Sequence, residues 1–461
     1  MPPSVRPAQP ALSFVPQQFN SGVTGFVQTL LPLWLRSQTS ITKVEARNAE
    51  RLVDLYQRFQ AGKLRFFLAF RHPSTDDPLC MSYLLGRIVP RVARQQGMRL
   101  RSPVHSYFLY DRGIPLWAGA GVGWLFPRMG GSSIVRGKLD RQGLRAARNL
   151  FVNGEFPIAA APEGGTNDHS ELVSPLEPGI AQMGFWCMED LLSAGRIEQV
   201  LIVPVGIQYR YWQAPWQRMA EVLSQLEQDA GLVVSADPAS SVEENLYRRL
   251  LDLAEHLLGL LEDFYTRFYG QTLPELPAFS EADQDRQNLL LEARLQRLMA
   301  IALGVSEAYF GVKPNGCFVD RCRRLEQAAW DRMFRDNLEQ MSAVERGLAD
   351  WLAEEASLFL GHMRLVERFT AVSGRYVLEK PTGDRFAEVL VILWKVTTWL
   401  KGGNPYQTLK LGKRRATMTI GEPLSISDRW PTYQRDRRSA KQAVTDLTQD
   451  LQTALKSLII S

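Results

Sequence analysis

Cysteine and histidine are scarce in this chain, with four and five residues among 461. The cysteines are far apart in a long sequence, which argues against a secreted disulfide framework. They are Cys80, Cys187, Cys317 and Cys322. No nearby histidine or cysteine pair completes a zinc site with the last two. The sequence therefore predicts reduced thiols in a cytoplasmic protein, with no bound metal or other cofactor.

Long apolar runs are also missing. The first 25 residues hold one basic residue, Arg6, and no compact apolar block before a cleavage site, so we expect no secretory signal. The uncharged stretches 23–35 and 113–127 are shorter than the ~20 residues of a spanning helix. We therefore expect no transmembrane helix. Aromatic residues in these stretches suit a membrane interface, although packing into the core is an equally good interpretation; they are Trp34, Trp117, Trp124 and Phe126.

A modest positive charge is present instead. The formal net charge is +5, and the pI is near 9.0. This balance favours anionic partners such as phosphate-bearing lipids, acyl carriers, membrane surfaces or nucleic acid. Because no zinc-finger, homeodomain-like or RNP-type motif is visible, we do not expect a nucleic-acid partner.

Hydrophobic periodicity predicts two kinds of structure. Between residues 40 and 211, short apolar runs such as 65–70 alternate with amphipathic helices, which favours an α/β fold with a mostly parallel sheet and helices on both faces. Residues 212–404 have helical periodicity and no obvious strand.

We interpret that second region as a large all-helical insertion before the last strand of the α/β domain. Residues 405–461 then return to the α/β domain and add a C-terminal helix. Residues 1–39 are expected to be irregular, with a short apolar helix, broken or kinked at Pro32, that is a candidate for membrane contact.

The main candidate for chemistry is His72, which follows the apolar run 65–70. Ligands of α/β sheets bind outside the carboxyl ends of strands, and a histidine there can act as a general base. A carboxylate close by, Asp77, can hold the other ring nitrogen and fix its tautomer. The structural alternative is that Asp77 is only a helix N-cap before Pro78, and that His72 only ends a strand.

Two later segments add candidate ligands for an anion. Residues 130–136 place Arg136 at a strand end, where its planar guanidinium can grip phosphate. The sequence Pro162-Glu-Gly-Gly-Thr166 follows another apolar run. Its glycines, Gly164 and Gly165, permit close backbone approach, and Glu163 can accept hydrogen bonds or pair with Arg136.

A further block contains Pro204 inside the apolar run 200–209. Since proline cannot donate to a strand ladder, this position predicts an edge or an irregularity in the sheet.

These four blocks, in this order, resemble the phospholipid/glycerol acyltransferase family, which includes the 1-acylglycerol-3-phosphate acyltransferases. The matching positions are His72 and Asp77; Gly130, Ile134 and Arg136; Pro162, Glu163 and Gly164; and Pro204. The resemblance covers roughly residues 40–211 and 410–427. The chain departs from the family pattern after the third block, where Thr166 and Asn167 replace the usual basic residue.

The resemblance implies a fold like that of the glycerolipid acyltransferases and an O-acyl transfer. His72 would be the general base and Asp77 its orienter, and Arg136 with 163–165 would bind the acceptor phosphate. The donor would be an acyl thioester of coenzyme A or of acyl carrier protein, and the acceptor a lysophospholipid such as lysophosphatidate. Such an enzyme would work peripherally, on the cytoplasmic face of a membrane.

Two other hypotheses remain open from the sequence. In one, Cys80 takes the acyl group first and His72 serves as its base. In the other, the chain is a non-enzymatic lipid-binding or scaffold protein of the same fold, with the helical insertion as a platform for partners.

Overall fold

The computed structural model of the protein describes residues 7–135, 140–233, 241–279, 286–369, 376–405 and 407–460. As far as it is described, the chain divides into two units. The α/β unit comprises residues 14–135, 140–213 and 413–460, and the helical unit comprises residues 7–13 and 214–412. The insertion expected at 212–404 is thus close in sequence to the range of the helical unit.

Eight strands of the α/β unit form one sheet. They are β1 (Ile41–Arg47), β2 (Leu64–Phe70), β3 (Tyr107–Asp111), β4 (Gly131–Ile134), β5 (Ile158–Ala160), β6 (Gln199–Tyr211), β7 (Arg414–Ile420) and β8 (Leu424–Ser425). The order is β1-β7-β6-β2-β5-β3-β4, and β8 also pairs with β6. Only the pairs of β6 with β7 and with β8 are antiparallel among these strands. The predicted α/β class with a mostly parallel sheet is confirmed.

Helices surround this sheet and make up most of the helical unit. They are α1 (Ser21–Gln38), α2 (Ala49–Gln60), α3 (Asp77–Tyr83), α4 (Val89–Gln95), α5 (Ile114–Ala118), α6 (Ala120–Arg128), α7 (Arg141–Asn153), α8 (Gly179–Ser193), α9 (Trp216–Ala230), α10 (Val242–Tyr269), α11 (Arg286–Phe310), α12 (Phe318–Met333), α13 (Ala343–Phe369), α14 (Tyr376–Glu379), α15 (Gly383–Leu400), α16 (Trp430–Tyr433) and α17 (Arg437–Ser457). A π-helical turn, Leu84–Ile88, joins α3 to α4.

Strand β2 is apolar on both faces because each face lies in a core. Phe66 and Leu68 pack in a cluster with residues of α2, α3 and α4. Phe67 and Ala69 face the other way, into a cluster with residues of α7, α8 and α17. Since side chains alternate along a strand, one continuous apolar run supplies both cores. The carboxyl end of this central strand carries His72.

Strand β6 accommodates Pro204 inside the sheet rather than at its edge. Pro204 pairs with Ala69 of β2 in parallel register, and its carbonyl accepts from the amide of Gly421 at 2.8 Å on the opposite side. Gly421 belongs to the turn between the ends of β7 and β8. The missing N–H of the proline therefore faces a break between two neighbouring strands, which is the kind of irregularity expected from the sequence.

Helix α1 is longer than expected and is not interrupted by Pro32. It runs for 18 residues from Ser21 to Gln38 with Pro32 inside. A proline leaves the carbonyl four residues earlier without its helical donor. Here that carbonyl, of Gln28, accepts from the guanidinium of Arg87 at 3.1 and 3.3 Å. Of the two expectations, a break or a kink at Pro32, the break was wrong, and an arginine from outside the helix replaces the lost hydrogen bond.

The helical unit has its own apolar core, to which α10, α11, α12 and α13 contribute. Its buried charges are paired: Glu262 accepts from Arg294 at 2.6 Å and from Arg297 at 2.8 Å. His362 lies between two tyrosine hydroxyls, those of Tyr265 at 2.8 Å and Tyr269 at 3.0 Å. In the described parts of both units, no helix is both long enough and apolar enough to cross a bilayer.

Stability of the α/β unit should fall in acid because His105 is buried in its neutral form. Its ring lies 5.3 Å from that of Phe19 and 5.4 Å from that of Phe156, and burial lowers its pKa from 6.5 to about 4. The unfolded chain therefore binds this proton at a higher pH than the folded chain does. The stabilisation is complete above about pH 6.5 and is lost as the pH falls toward 4.

We expect urea unfolding to show this loss, amounting to roughly 3 kcal/mol between pH 7 and pH 4. The variant His105→Gln should lose correspondingly less over the same interval, whereas a control variant at the partly exposed His256 should follow the wild type. Parallel pH profiles for the wild type and His105→Gln would contradict this assignment.

Candidate functional site

His72 is held by its backbone at the carboxyl end of β2. The last ladder bond of this strand runs from the amide of Arg71 to the carbonyl of Val205 in β6, at 2.9 Å. One residue later, the amide of His72 donates to Glu163 Oε1 at 2.9 Å, and its carbonyl accepts from the amide of Asn167 at 3.3 Å. Both flanking peptide groups of the histidine are therefore anchored to the loop that follows β5.

The side chains of His72 and Asp77 are paired. The distance from His72 Nδ1 to Asp77 Oδ2 is 2.9 Å, and the same oxygen accepts from the amide of Ser74, also at 2.9 Å. Asp77 is fully buried, whereas the His72 side chain is 21% exposed. A carboxylate accepts from a protonated Nδ1, which leaves Nε2 of a neutral imidazole as the base.

The N-cap alternative for Asp77 does not describe its side chain. Asp77 is the first residue of α3, and Asp76 occupies the N-cap position. The carbonyl of Asp76, rather than a carboxylate, accepts from the amides of Leu79 and Cys80. The side chain of Asp77 is thus free of capping and bonds to the loop that carries His72.

Tyr209, in β6, is a third member of this arrangement that the sequence analysis did not identify. Its hydroxyl donates to the second oxygen of Asp77, Oδ1, at 2.5 Å. Burial raises the pKa of Tyr209 well above its ordinary value, and the negative charge of Asp77 raises it further. The hydroxyl therefore remains a donor. In the sequence, Tyr209 is simply the last residue of the apolar run 200–209. That position does not by itself indicate a functional group.

A buried ion pair lies beneath the loop. Arg71 and Glu163 have side chains 1% and 0% exposed, and Arg71 Nε lies 3.8 Å from Glu163 Oε1. The guanidinium also donates to the carbonyls of Ser170 at 2.5 Å, His169 at 3.0 Å and Leu172. Removal of one partner from a buried pair costs about 3–5 kcal/mol because the other charge is left uncompensated.

Glu163 thus has a different position from the phosphate contact expected for it. One oxygen accepts from the amide of His72, and the other accepts from Asn167 Nδ2 at 3.0 Å and from the amide of Ser174 at 2.9 Å. Arg71 is its cationic neighbour, and Arg136 lies outside the described residues. These contacts make Glu163 a positioning residue for the histidine loop.

The Asn167 side chain holds the loop after β5 together. Besides Glu163, its side-chain amide reaches the carbonyl of Leu172 at 2.8 Å and Ser174 Oγ at 3.1 Å. A neutral amide provides these bonds in a buried position where an unpaired basic group would be costly to desolvate. The residue was singled out in the sequence only as a missing base, and its role follows from the folded loop.

The other expected loop residues surround this network. Pro162 is buried, and its carbonyl accepts from the amide of Glu177 at 2.8 Å. Gly164 has a φ of +71°, and its amide donates to the carbonyl of Ala161 at 3.2 Å in a tight turn. Gly165 is partly exposed. The backbone at 164–165 is therefore among the partly exposed parts of this loop.

The second block lies farther along the sheet. Ile134 ends β4, which is separated from β2 by β5 and β3. Three strand spacings place these strand axes roughly 14 Å apart. Gly130 is buried with a φ of +84°, and a Cβ there would approach the ring of Tyr107 to 3.1 Å, so the position favours glycine.

Another arginine, Arg414, lies near the His72–Asp77 pair. Arg414, at the start of β7, lies 3.5 Å from Asp76 and stacks over the Tyr209 ring at 5.0 Å. It also donates to Ser40 Oγ at 2.9 Å. The folded chain therefore brings Arg414 to two residues beside Asp77.

Cys80 is poorly suited to act as a nucleophile. Its side chain is completely buried, and its sulfur lies 3.6 Å from the hydroxyl of Tyr209. Burial raises the pKa of the thiol, and the charge of Asp77 raises it further, although the Tyr209 hydrogen bond opposes the shift. The reactive form of a cysteine is the thiolate, which this environment disfavours.

No cluster of three or more histidine, cysteine, aspartate or glutamate side chains suitable for a metal occurs among the residues that the structure describes. The chemistry that the described groups can support is proton transfer. Asp77 accepts hydrogen bonds from Tyr209 and Ser74 and holds the ring of His72, whose imidazole is the group suited to proton transfer.

Removal of the Tyr209 hydroxyl should destabilise the protein because one oxygen of a buried carboxylate loses its donor. We expect Tyr209→Phe to lower the free energy of unfolding by about 1–3 kcal/mol, measured by urea denaturation. Tyr110→Phe is a matched control, since Tyr110 is buried to the same degree and its hydroxyl has no hydrogen-bond partner among the described residues. Equal effects of the two substitutions would contradict the role assigned to Tyr209.

A scan against models of known protein families finds no match to this chain, and a search of curated proteins finds no relative either.

Proposed function

We propose that the protein is an O-acyltransferase that moves a fatty acyl group from a thioester to the hydroxyl of a lysophospholipid such as lysophosphatidate. The observation that carries this proposal is the contact between His72 Nδ1 and Asp77 Oδ2 at the carboxyl end of a central parallel strand. The order of the sequence blocks, which resembles that of the phospholipid/glycerol acyltransferases, supports the choice of reaction. The donor is acyl-CoA or acyl carrier protein, and no bound cofactor takes part.

The proposed reaction is a direct transfer with no acyl-enzyme intermediate. Nε2 of His72 takes the proton of the acceptor hydroxyl while the oxygen attacks the thioester carbonyl. Asp77 stabilises the imidazolium that forms. Collapse of the tetrahedral intermediate breaks the carbon–sulfur bond and forms the ester. The imidazolium then gives its proton to the departing thiolate, so that the base is regenerated.

Two groups remain for the acceptor phosphate in this proposal. Glu163 is occupied by the histidine loop, so the phosphate is assigned to Arg136 and to the partly exposed backbone of Gly164 and Gly165.

The proposed place of work is the cytoplasmic surface of a membrane, with peripheral attachment. Support comes from α1, which exposes four large apolar side chains, those of Phe26, Leu30, Leu33 and Trp34. Exposed apolar rows of this kind commonly mark interaction sites.

His72→Ala should lower the rate of thiol release from acyl-CoA or acyl carrier protein, in the presence of lysophosphatidate, by about 10²–10⁴-fold. His256→Ala is a suitable control because it also removes a partly exposed histidine, but from the helical unit. The assay is a screen of lysolipids and glycerol 3-phosphate as acceptors. Full activity of His72→Ala would exclude this mechanism, and absence of turnover on every acceptor would favour the lipid-binding scaffold.

The thiol mechanism makes a different prediction for Cys80. With His72 as a direct base, we expect Cys80→Ala to keep its rate within a few fold of the wild type, and we expect no labelled acyl group on the trapped protein. An acyl-cysteine isolated from the wild type would contradict direct transfer.

A further inference from the structure

A groove of about 600 Å³ runs along the free side of the edge strand β1. Helix α1, the π-helical turn and α4 supply its other walls. Its floor is apolar, since Leu35, Ile41 and Ile88 line it and are almost completely buried. All the lining residues belong to the α/β unit.

The rim of this groove carries unmatched positive charge. Arg36, Arg47 and Arg91 line it with exposed side chains, and among the described residues none of these guanidinium groups has a carboxylate partner. Lys43 also lines the groove, where it pairs with Glu45. Three arginines that line one groove without carboxylate partners, together with its apolar residues, favour an anionic ligand with an apolar part.

The sequence around the groove is also positively charged. Residues 78–110 contain no aspartate or glutamate but five arginines. One of these, Arg91, lines the groove. Another, Arg87, donates to the carbonyls of Gln28 and Thr29 in α1 at 3.1 and 3.2 Å. These hydrogen bonds tie α1 to the π-helical turn, and both elements line the groove.

The outward face of α1 continues the groove with an apolar surface. Phe26, Leu30 and Leu33 recur at helical spacing and are 67%, 44% and 68% exposed, and Trp34 beside them is 55% exposed. No charged residue occurs between positions 7 and 35. The next residues of the same helix, Leu35 and Arg36, line the groove. A basic groove and an apolar helix face thus meet along one helix.

We propose that this groove, with the outward face of α1, is a docking site for anionic glycerophospholipids at a bilayer surface. The arginines hold the lipid phosphate, and Phe26, Leu30, Leu33 and Trp34 enter the interfacial layer. The proposal rests on the membrane-surface part of the proposed function and not on acyl transfer. A peptide strand added to the edge of β1 fits less well, since exposed charges such as Lys43 and Arg47 oppose strand addition.

Vesicle co-sedimentation tests this site with a triple variant, Arg36→Gln, Arg47→Gln and Arg91→Gln. Loss of three arginines should weaken binding to vesicles of phosphatidylcholine mixed with phosphatidylglycerol by roughly 100-fold, with little change on pure phosphatidylcholine. A matched control replaces three exposed arginines around the start of α17, Arg435, Arg437 and Arg438, with glutamine. It removes the same charge and should bind nearly as the wild type does.

A second variant tests the apolar outward face of α1. Phe26→Ser with Trp34→Ser should weaken binding to both kinds of vesicle while the preference for phosphatidylglycerol remains. His72→Ala should bind vesicles like the wild type, so a failure of acyl transfer and a failure of lipid docking give different results.

The inference is overturned if the groove variant binds phosphatidylglycerol vesicles as the wild type does, or loses no more than the control variant. It is also overturned if the groove variant keeps vesicle binding but loses binding of acyl-CoA in solution. That second result would assign the groove to the soluble thioester.

Discussion

The buried carboxylate of Asp77 is the constraint on which the proposed site depends. A buried carboxylate is stable only when its oxygens accept hydrogen bonds. Here there are three donors: the His72 ring and the Ser74 amide in the loop after β2, and the Tyr209 hydroxyl in β6. Asp77 itself begins α3. The hydrogen bonds to this one carboxylate therefore hold a loop, the start of a helix and a neighbouring strand in fixed positions relative to one another.

The ion pair of Arg71 and Glu163 supports the same loop from below. Arg71 is the residue directly before His72, and its guanidinium binds carbonyls in the segment 169–172. Glu163 accepts the His72 amide. The two sides of the histidine backbone are thus tied to the loop after β5. A histidine held this way needs little rearrangement before it accepts a proton, which favours catalysis.

Much of the α/β unit follows from local pattern. The apolar runs and amphipathic helices between residues 40 and 211 predicted a mostly parallel sheet, which the structure confirms. The Pro32 break was wrong because its outcome depends on Arg87, which is 55 residues away and unrelated to any helix signal. Local propensity cannot register a hydrogen bond donated from another element.

The candidate site was likewise predictable only where its contacts are local in sequence. His72 and Asp77 are close in sequence, so their pairing was a local expectation. The contact of Tyr209 with Asp77 depends on the order of strands in the sheet, whereas the Asn167 side chain bonds within its own loop. Neither residue type is itself a signal for a catalytic group. The resemblance implied that Glu163 is at the acceptor phosphate, but the guanidinium beside it is that of Arg71. Burial, which sequence does not give, decided between the two roles.

The most direct measurement of the central claim is the ¹⁵N NMR spectrum of the His72 ring near neutral pH. In the neutral form of the ring, the proton should be on Nδ1, hydrogen-bonded to Asp77, and Nε2 should be unprotonated. Replacement of Asp77 by asparagine should abolish that tautomeric preference. A wild-type ring with its proton on Nε2, or one unaffected by the Asp77 substitution, would contradict the account.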